Sequence, residues 1–283
     1  MAEPSGGPAA PMRIVAGMPL HVLDVGAGRP ILMLHGNPLD HRVLSEPFEP
    51  WFAERPGYRR IYVDLPGFGA SPASPAVNGS DDVVDVVERL LDQVQPGRQL
   101  LVIGQSFGAY IAEGLIARRP DRFSGAALIC PMVVADPRAR DLPEHVVIKA
   151  EPGLLDAADP GVVAAFRDDA VIEDAATWRF FQAAIGPAIR AADPDAVRRI
   201  EANYAFERIG LSWPVFDRPT LIVTGRQDST VGYRDAWRIV DRYSRATFVV
   251  LDGAGHNAHV ERIEVVLPLL ADWLARVDDE ARA

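Results

Sequence analysis

Six short, largely apolar segments constrain the fold of this chain of 283 residues more than any other feature of the sequence. Each has four or five residues and is bounded by glycine, proline or polar residues. A strand buried on both faces of a sheet has this pattern, because neither of its sides meets solvent. Two further apolar stretches, 12–16 and 20–25, flank a turn at Gly17 and predict a hairpin at a sheet edge. The six predicted strands are 30–34, 60–63, 100–103, 126–129, 220–224 and 247–251.

Amphipathic helical patterns fall between these strands. In residues 80–94, Val83, Val87 and Leu90 recur at i, i+4 and i+7 and form one apolar stripe. Strands that alternate with helices predict an α/β fold class, with a mostly parallel twisted sheet and helices on both faces. Further helices are predicted over 107–119, 233–243 and 260–277.

The alternation stops between about residues 132 and 213, where the sequence has no convincing strand. We predict a helical insertion here, because a loop of that length without structure is uncommon. The expected domains are a flexible tail over 1–11, a core over 12–131 and 214–283, and the helical insertion over 132–213. The predicted helices of the insertion are separated at Pro143, Pro152, Pro160, Pro187 and Pro194.

Charge and composition exclude several classes of partner. Lys and Arg number 29 and Asp and Glu number 39, a formal net charge of −10, so no basic field attracts nucleic acid or an anionic membrane. No segment approaches the roughly 18 to 20 apolar residues that span a bilayer. The tail has no signal-peptide pattern, and the single cysteine, Cys130, excludes an internal disulfide. We expect a cytoplasmic protein that acts on a small molecule; the sequence makes no prediction of oligomeric state.

The most informative motif is the pentapeptide G-Q-S-F-G at 104–108. It directly follows the apolar strand over 100–103 and precedes a predicted helix. A turn this sharp strains its central residue and leaves no room for side chains two positions away, which explains the glycines. It also lifts the Ser106 hydroxyl above the sheet edge and aims backbone N–H groups at the same space. The context predicts that Ser106 is a nucleophile.

At this pentapeptide, and at four other strand ends, the sequence resembles the α/β-hydrolase superfamily. The resemblance covers nearly the whole chain after the tail, and it is more specific for the fold than for the substrate. It implies that the helical insertion over 132–213 is a cap on the sheet domain. The other motifs are HGNP at 35–38, DLPGFGAS at 64–71, GRQD at 225–228 and GAGH at 253–256.

A serine hydroxyl needs a base to take its proton, and the base needs an acid to orient it and stabilise its charge. Among the six histidines, His256 suits the base best, because it lies in a glycine-rich loop just past a predicted strand; His259 is the alternative. Asp228, four residues past the end of another strand, is the chosen acid, and Asp252 is its rival. The resulting order of serine, aspartate and histidine along the chain is the order that this superfamily uses.

Acyl transfer also needs hydrogen-bond donors aimed at the developing oxyanion. The backbone N–H of Phe107, directly after the serine, is one expected donor, and the resemblance points to the backbone N–H of Asn37 as the second. Trp178 and Phe181 lie on one short predicted helix of the insertion and are candidates for lining an apolar substrate pocket. His35 is expected to brace the loop by hydrogen bonding.

Other chemistries fit the residues less well. HGNP also occurs in proteins that resemble haloalkane dehalogenases, but those enzymes and epoxide hydrolases use an aspartate where this chain has Ser106. The segment GFGASP at 67–72 lacks the third glycine of a dinucleotide site. Histidines and carboxylates show no metal-ligand spacing, so we expect no cofactor and no metal.

The expected function is a cofactor-free serine hydrolase that works through an acyl-enzyme. Its expected substrates are small or medium, largely apolar carboxylic esters, or thioesters, lactones or the C–C bonds of diketones. The same residues leave open an acyltransferase, a lyase, a cofactor-free peroxidase or a small-molecule receptor, since a fold does not fix a function.

Overall fold

The computed structural model describes residues 12–209 and 213–282, and the predicted tail over 1–11 lies outside the described residues. Eight strands form one sheet, and two short strands pair separately. The strands are β1 (Met12–Val15), β2 (Met18–Gly26), β3 (Gly28–Leu34), β4 (Gly57–Val63), β5 (Leu100–Gln105), β6 (Phe123–Ile129), β7 (Lys149–Ala150), β8 (Ile172–Glu173), β9 (Thr220–Gly225) and β10 (Ala246–Leu251).

The large sheet has the strand order β1-β2-β4-β3-β5-β6-β9-β10. Strands β1 and β2 form the predicted hairpin at one edge, β2 pairs antiparallel with β4, and every other pairing in this sheet is parallel. Every residue of β5, β6 and β9 is buried. Because alternate side chains of a strand point to opposite faces, both faces of the sheet are covered. The predicted fold class is confirmed.

Helices connect the strands and position the loops at their ends. Helix α3 follows β5 after a single residue and packs against β3, β5 and β6, whereas α10 packs against β6 and β9. The helix predicted over 233–243 is shorter in the structure, since α8 gives way to a 3₁₀ turn at Val240–Arg242. The helices are α1 (Arg42–Ala53), α2 (Ser80–Val94), α3 (Phe107–Arg118), α4 (Pro160–Arg167), α5 (Ala175–Phe180), α6 (Gly186–Ala191), α7 (Pro194–Ala202), α8 (Tyr233–Trp237), α9 (Ala258–Glu261) and α10 (Ile263–Arg282).

Helix α1 is not predicted by the sequence, since it contains Pro47 and Pro50, and an internal proline removes a backbone donor. Pro47 leaves the carbonyl of Val43 without its helical partner. The ring of His259 supplies a donor instead, because its Nε2 lies 3.0 Å from that oxygen. Burial lowers the pKa of His259 to about 4, so the ring is neutral, and the carbonyl acceptor places the proton on Nε2. His259 therefore supports α1.

The insertion predicted over 132–213 lies between β6 and β9 and begins without the helices expected there. Before α4, its described residues form a 3₁₀ turn at Pro137–Ala139 and no α-helix. The same stretch supplies β7, which pairs in parallel with β8, so this part of the chain contains a short strand where none was predicted.

The second half of the insertion is helical, but Pro187 does not break it. The chain runs from α5 through a π-helix at Phe181–Ile185 into α6. The turn before the proline is wider than an α-helical turn, with the Gly186 N–H bonded to the Phe181 oxygen, and this gives the ring room. Pro160 and Pro194 start α4 and α7, where a proline costs no helical hydrogen bond.

One property of the helices bears on membrane association. In the ranges that the structure describes, no helix has both the length and the apolar character needed to cross a bilayer.

Candidate active site

Ser106 lies at the turn between β5 and α3, with φ 53° and ψ −117°, a conformation that strains any residue with a side chain. The glycines on both sides make this turn possible. A Cβ on Gly104 would lie 2.6 Å from Ala109 Cα, and one on Gly108 would lie 2.1 Å from the Leu34 carbonyl oxygen. Both distances are far below van der Waals contact, so only glycine allows α3 to pack this closely against β3 and β5.

The structure brings Ser106, His256 and Asp228 together. The Ser106 Oγ lies 2.8 Å from His256 Nε2, and His256 Nδ1 lies 3.0 Å from Asp228 Oδ2. The other carboxylate oxygen of Asp228 accepts hydrogen bonds from the N–H groups of Thr230 and Val231 at 2.9 and 3.0 Å. These two bonds fix the carboxylate in the turn after β9. Asp228 therefore both stabilises this turn and orients His256.

Electrostatics favour a charged acid and a basic imidazole. Burial opposes ionisation of Asp228, but the charge and hydrogen bond of His256 and two backbone N–H groups outweigh it, so its pKa lies below the ordinary value. Burial likewise opposes the charge of His256, yet the Asp228 carboxylate, assisted by Asp169, raises the pKa of His256 above its ordinary value. The ionised Asp228 holds the proton of neutral His256 on Nδ1 and leaves Nε2 free to accept from Ser106.

Two backbone N–H groups lie beside the serine. Phe107 follows it at the start of α3, and Asn37 lies in the turn after β3. A Cβ on Gly36 would lie 3.0 Å from the Ser106 Cβ, so this turn passes directly against the serine. Within 12–209 and 213–282, neither the Phe107 N–H nor the Asn37 N–H donates to a protein acceptor. Both N–H groups are therefore without a protein partner in the described residues.

His35, the predicted brace of the loop, and Asp252, the rival of Asp228, have other hydrogen-bond partners. His35 Nε2 accepts from the Leu65 N–H at 3.0 Å, and its Nδ1 donates to the Gly36 oxygen at 2.8 Å, so the ring ties two strand-end loops together. Asp252 is exposed and accepts from Gln227 Nε2 at 2.9 Å. The structure thus places Asp228, and not Asp252, against the His256 ring.

A cavity of about 200 Å³ lies beside His256 and is called the apolar chamber here. Phe181 lines it as predicted. Trp178 does not: it lies behind Phe181, with the two rings stacked at 5.7 Å, and its position corrects the expectation for it. Packing inside the insertion accounts for Trp178, since it also meets Phe166 edge-on at 5.1 Å. The apolar wall of the chamber includes Leu39, Ala165, Phe166, Phe180, Phe181, Ile185 and Val260.

Asp169 is one of two carboxylates, with Glu261, that line the apolar chamber among the described residues. Its oxygens accept from Asn257 Nδ2 at 2.5 Å and from Thr230 Oγ1 at 3.3 Å. Burial raises the pKa of Asp169, and the nearby His256 lowers it in part. Asp169 is therefore a second acidic group close to His256, contributed by the insertion.

A second cavity of about 270 Å³ contains Ser106 itself and is called the polar chamber here. Arg140 and Tyr204, both from the insertion, lie in its wall. Asn37 and Thr230 border both chambers, so the two cavities flank the serine–histidine pair.

Sequence reasoning does not find the polar residues that the insertion contributes to the two chambers. Arg140, Asp169 and Tyr204 lie outside helices and strands. No periodicity or motif around them carries a signal, and only the packing of the insertion brings them to the chambers.

A carboxylate also joins the insertion to the loop that carries His256. Glu261 Oε1 accepts from the N–H groups of Val171 and Ile172 at 2.7 and 3.1 Å, and its Oε2 accepts from the Gly255 N–H at 2.6 Å. Burial raises the pKa of Glu261 to about 7, against the opposing effect of these three donors. The Glu261 side chain thus bonds both to the insertion and to the loop that carries His256.

Two groups of metal-type ligand atoms come within 4.8 Å of one another in the described ranges. Contacts with Asp64 account for the first, since His41 Nδ1 is hydrogen-bonded to Asp64 Oδ1 at 2.8 Å and His21 Nδ1 lies 2.9 Å from Asp64 Oδ2. In the second, His256 and Asp228 are already hydrogen-bonded to each other. The groups are His21, His41 and Asp64, and Cys130, Asp228 and His256.

Comparisons with known proteins agree with this architecture. The sequence profile of the Alpha/beta hydrolase family matches residues 31–269. Among solved structures, an alpha/beta superfamily hydrolase from Oenococcus oeni superposes with a TM-score of 0.85 and 27% sequence identity, over 95% of this chain and 99% of that one.

Two curated relatives of similar length carry a hydrolase or an esterase name. The 2-hydroxymuconate semialdehyde hydrolase of a Pseudomonas species is 27% identical over 277 residues, which cover 95% of this chain and 94% of that protein. The pimeloyl-[acyl-carrier protein] methyl ester esterase of Shewanella woodyi is 26% identical over 261 residues, which cover 90% of this chain and 97% of that protein.

Proposed function

The chain belongs to the alpha/beta hydrolase family, and from this premise we propose that it is a serine hydrolase that cleaves small acyl compounds, carboxylic esters first, through an acyl-enzyme. One observation carries the proposal: the Ser106 hydroxyl lies 2.8 Å from an imidazole whose other nitrogen lies 3.0 Å from a buried aspartate. This arrangement lets a weak nucleophile lose its proton as it attacks.

The proposed reaction begins when Ser106 Oγ attacks the carbonyl carbon of the substrate. His256 Nε2 takes the hydroxyl proton, and the Asp228 carboxylate stabilises the imidazolium that forms. The carbonyl oxygen becomes an oxyanion, which accepts from the N–H groups of Phe107 and Asn37. Loss of one such donor typically costs about 3 to 4 kcal/mol of transition-state stabilisation.

Collapse of the tetrahedral intermediate completes the first half of the reaction. His256 returns the proton to the leaving group, and the acyl group stays on Ser106 as an ester. Water then enters, gives its proton to His256 and attacks the acyl carbon. The acid leaves and Ser106 recovers its proton, so atoms and charge balance without any group from outside the chain.

The two chambers support a substrate with distinct parts on either side of the scissile bond. The polar chamber contains Ser106, and the apolar chamber adjoins His256. The relatives include a methyl ester esterase and a semialdehyde hydrolase, so ester and carbon–carbon bonds both belong in the first substrate panel.

Replacement of the serine tests the proposal most directly. We expect Ser106→Ala to lower kcat for short aryl esters by about 10⁴-fold or more, and to abolish covalent labelling by a fluorophosphonate, with the melting temperature preserved. Ser244→Ala is the matched control, since Ser244 is exposed and its N–H bonds only to the Phe216 backbone. Labelling that survives in Ser106→Ala but not in a second serine variant would assign the nucleophile elsewhere.

A further inference from the structure

Arg140 places an unpaired positive charge in the wall of the polar chamber. Its guanidinium donates to three backbone oxygens: Nε to Val134 at 2.9 Å, Nη1 to Thr230 at 2.9 Å and Nη2 to Ala135 at 3.3 Å. Within the described part of the chain, no carboxylate lies within 4.0 Å of it. Backbone oxygens fix the position of the group, but they do not neutralise its charge.

Partial burial of the Arg140 guanidinium without a counter-ion destabilises the protein unless a ligand supplies the opposite charge. Arg140 is half-buried, and burial lowers the pKa of its guanidinium, although the group stays charged near neutral pH. A charged side chain withdrawn from water without a counter-ion is destabilising. Of the five N–H donors of an arginine, three are used, so two remain for a ligand.

Tyr204 supplies a further donor in the same chamber. Its ring stacks on Phe107 at 4.9 Å, and its hydroxyl oxygen accepts from Asn37 Nδ2 at 3.0 Å. Burial raises the pKa of Tyr204 well above the ordinary value, so the phenol keeps its proton. No acceptor for that proton lies in residues 12–209 or 213–282. The hydroxyl can therefore donate to a ligand while it is held by Asn37.

The one acidic group of the polar chamber lies at its rim. Glu201 is exposed, and its Oε1 already accepts from Asn37 Nδ2 at 2.8 Å. Solvent screens its charge more than it screens that of half-buried Arg140. Among the described residues that line the chamber, Arg140 and Tyr204 thus offer free donors and Arg140 the one positive charge, whereas the Asn37 amide oxygen is an acceptor without a partner.

We infer that the polar chamber binds a carboxylate of the substrate, with Arg140 and Tyr204 as the groups that hold it. The inference rests on the proposed serine hydrolase function and names its substrate class: an acyl compound with a free carboxylate on one side of the scissile bond and an uncharged, apolar part on the other. A carboxylate matches two parallel arginine N–H donors and one positive charge. A phosphate monoester would bring up to two negative charges to that one cation.

Paired substrates of equal length provide the test. The first pair places the charge on the acyl side: the mono-p-nitrophenyl ester of glutaric acid against p-nitrophenyl pentanoate. The second pair places it on the alcohol side: the acetate ester of 4-hydroxybenzoate against 4-methylphenyl acetate. In one of the two pairs, we expect kcat/KM to be about 10- to 100-fold higher for the charged member, chiefly through a lower KM, as suits hydrogen bonds to a charged group.

Variants identify the residue that is responsible. Arg140→Gln should abolish that ratio, and Arg140→Lys should retain part of it, because the charge stays and the two-donor geometry is lost. Tyr204→Phe should reduce the ratio to an intermediate value. Arg138→Gln is the matched control, since Arg138 is two residues away, 91% exposed and already paired with Asp136; its ratio should equal that of the unaltered protein.

The outcomes separate this inference from the proposed function. If the unaltered protein cleaves the neutral esters through Ser106 but prefers the charged member of neither pair, the carboxylate site is overturned and the hydrolase stands. A preference that persists in Arg140→Gln also overturns it. If no ester is cleaved and Ser106 takes no fluorophosphonate label, both proposals fail. Because the comparison of substrates uses the unaltered chain, a variant that fails to fold does not remove the test.

Discussion

The two walls of the candidate active site are built in different ways. On the sheet side, Ser106, Asp228 and His256 follow β5, β9 and β10, and parallel ladders fix the register of these strands. On the side of the insertion, Arg140 and Asp169 lie in irregular backbone that no sheet holds. In the proposed function, the sheet wall supplies the reacting groups, and the insertion supplies charges and apolar surface for a substrate.

The largest predicted effect in this comparison belongs to the sheet wall. Asp228→Asn should lower kcat for an aryl ester by about 10⁴-fold, because an amide cannot hold the proton on His256 Nδ1 or stabilise the imidazolium. The melting temperature should change little, because the amide oxygen can still accept from Thr230 and Val231. Asp252→Asn is the control on an exposed carboxylate. Equal rates for the two variants would remove Asp228 from the chemistry.

A smaller effect is expected from the apolar wall of the insertion. Phe181→Leu removes aromatic surface from the apolar chamber and should lower kcat/KM for medium-length acyl esters by about tenfold, mainly by raising KM. Acetate esters should be affected least. Val146→Ala, an exposed apolar position of the insertion that lines neither chamber, is the matched control. If kcat fell instead while KM stayed constant, Phe181 would affect the chemical step. The assignment of chemistry to the sheet wall and of substrate binding to the insertion would then be wrong.

The smallest predicted effect is electrostatic and comes from the charge that the insertion places near His256. Because the general base must be neutral and the pKa of His256 is raised, kcat/KM should fall on acidification with a midpoint above 6.5. The Asp169 charge favours protonated His256, so Asp169→Asn should move this midpoint to lower pH. The pH profile of kcat/KM is the measurement, and exposed Asp168→Asn is the control. A shift to higher pH would contradict the assigned role.

The sheet wall was predictable because its signals are local. A buried strand is apolar over four or five residues, and its loop begins where that run ends, so residues just past β5, β9 and β10 could be selected in advance. The glycines at 104 and 108 added a steric requirement that few other folds impose. The structure brings the three selected side chains within hydrogen-bond distance of one another.

Other features of the fold and of the candidate site could not be predicted from local sequence patterns. Helix α1 contains two prolines and is supported by His259, a residue more than 200 positions away. Pro187 lies within one continuous helical run because a π-helix precedes it. Trp178 and Phe181 are neighbours on that run, yet only Phe181 lines the chamber, and the ring of Trp178 packs against Phe181 and Phe166. Each outcome depends on tertiary contacts that leave no periodic trace.

Glu261 has a consequence for protein engineering. Its two oxygens bond to the backbone of the insertion at Val171 and Ile172 and to Gly255, the residue before His256. A chimaera that receives the insertion of another hydrolase would leave this buried carboxylate with one of its three donors. Exchange of substrate range between homologues by grafting this segment therefore requires co-transfer of a matching partner for Glu261, or its replacement by an apolar residue.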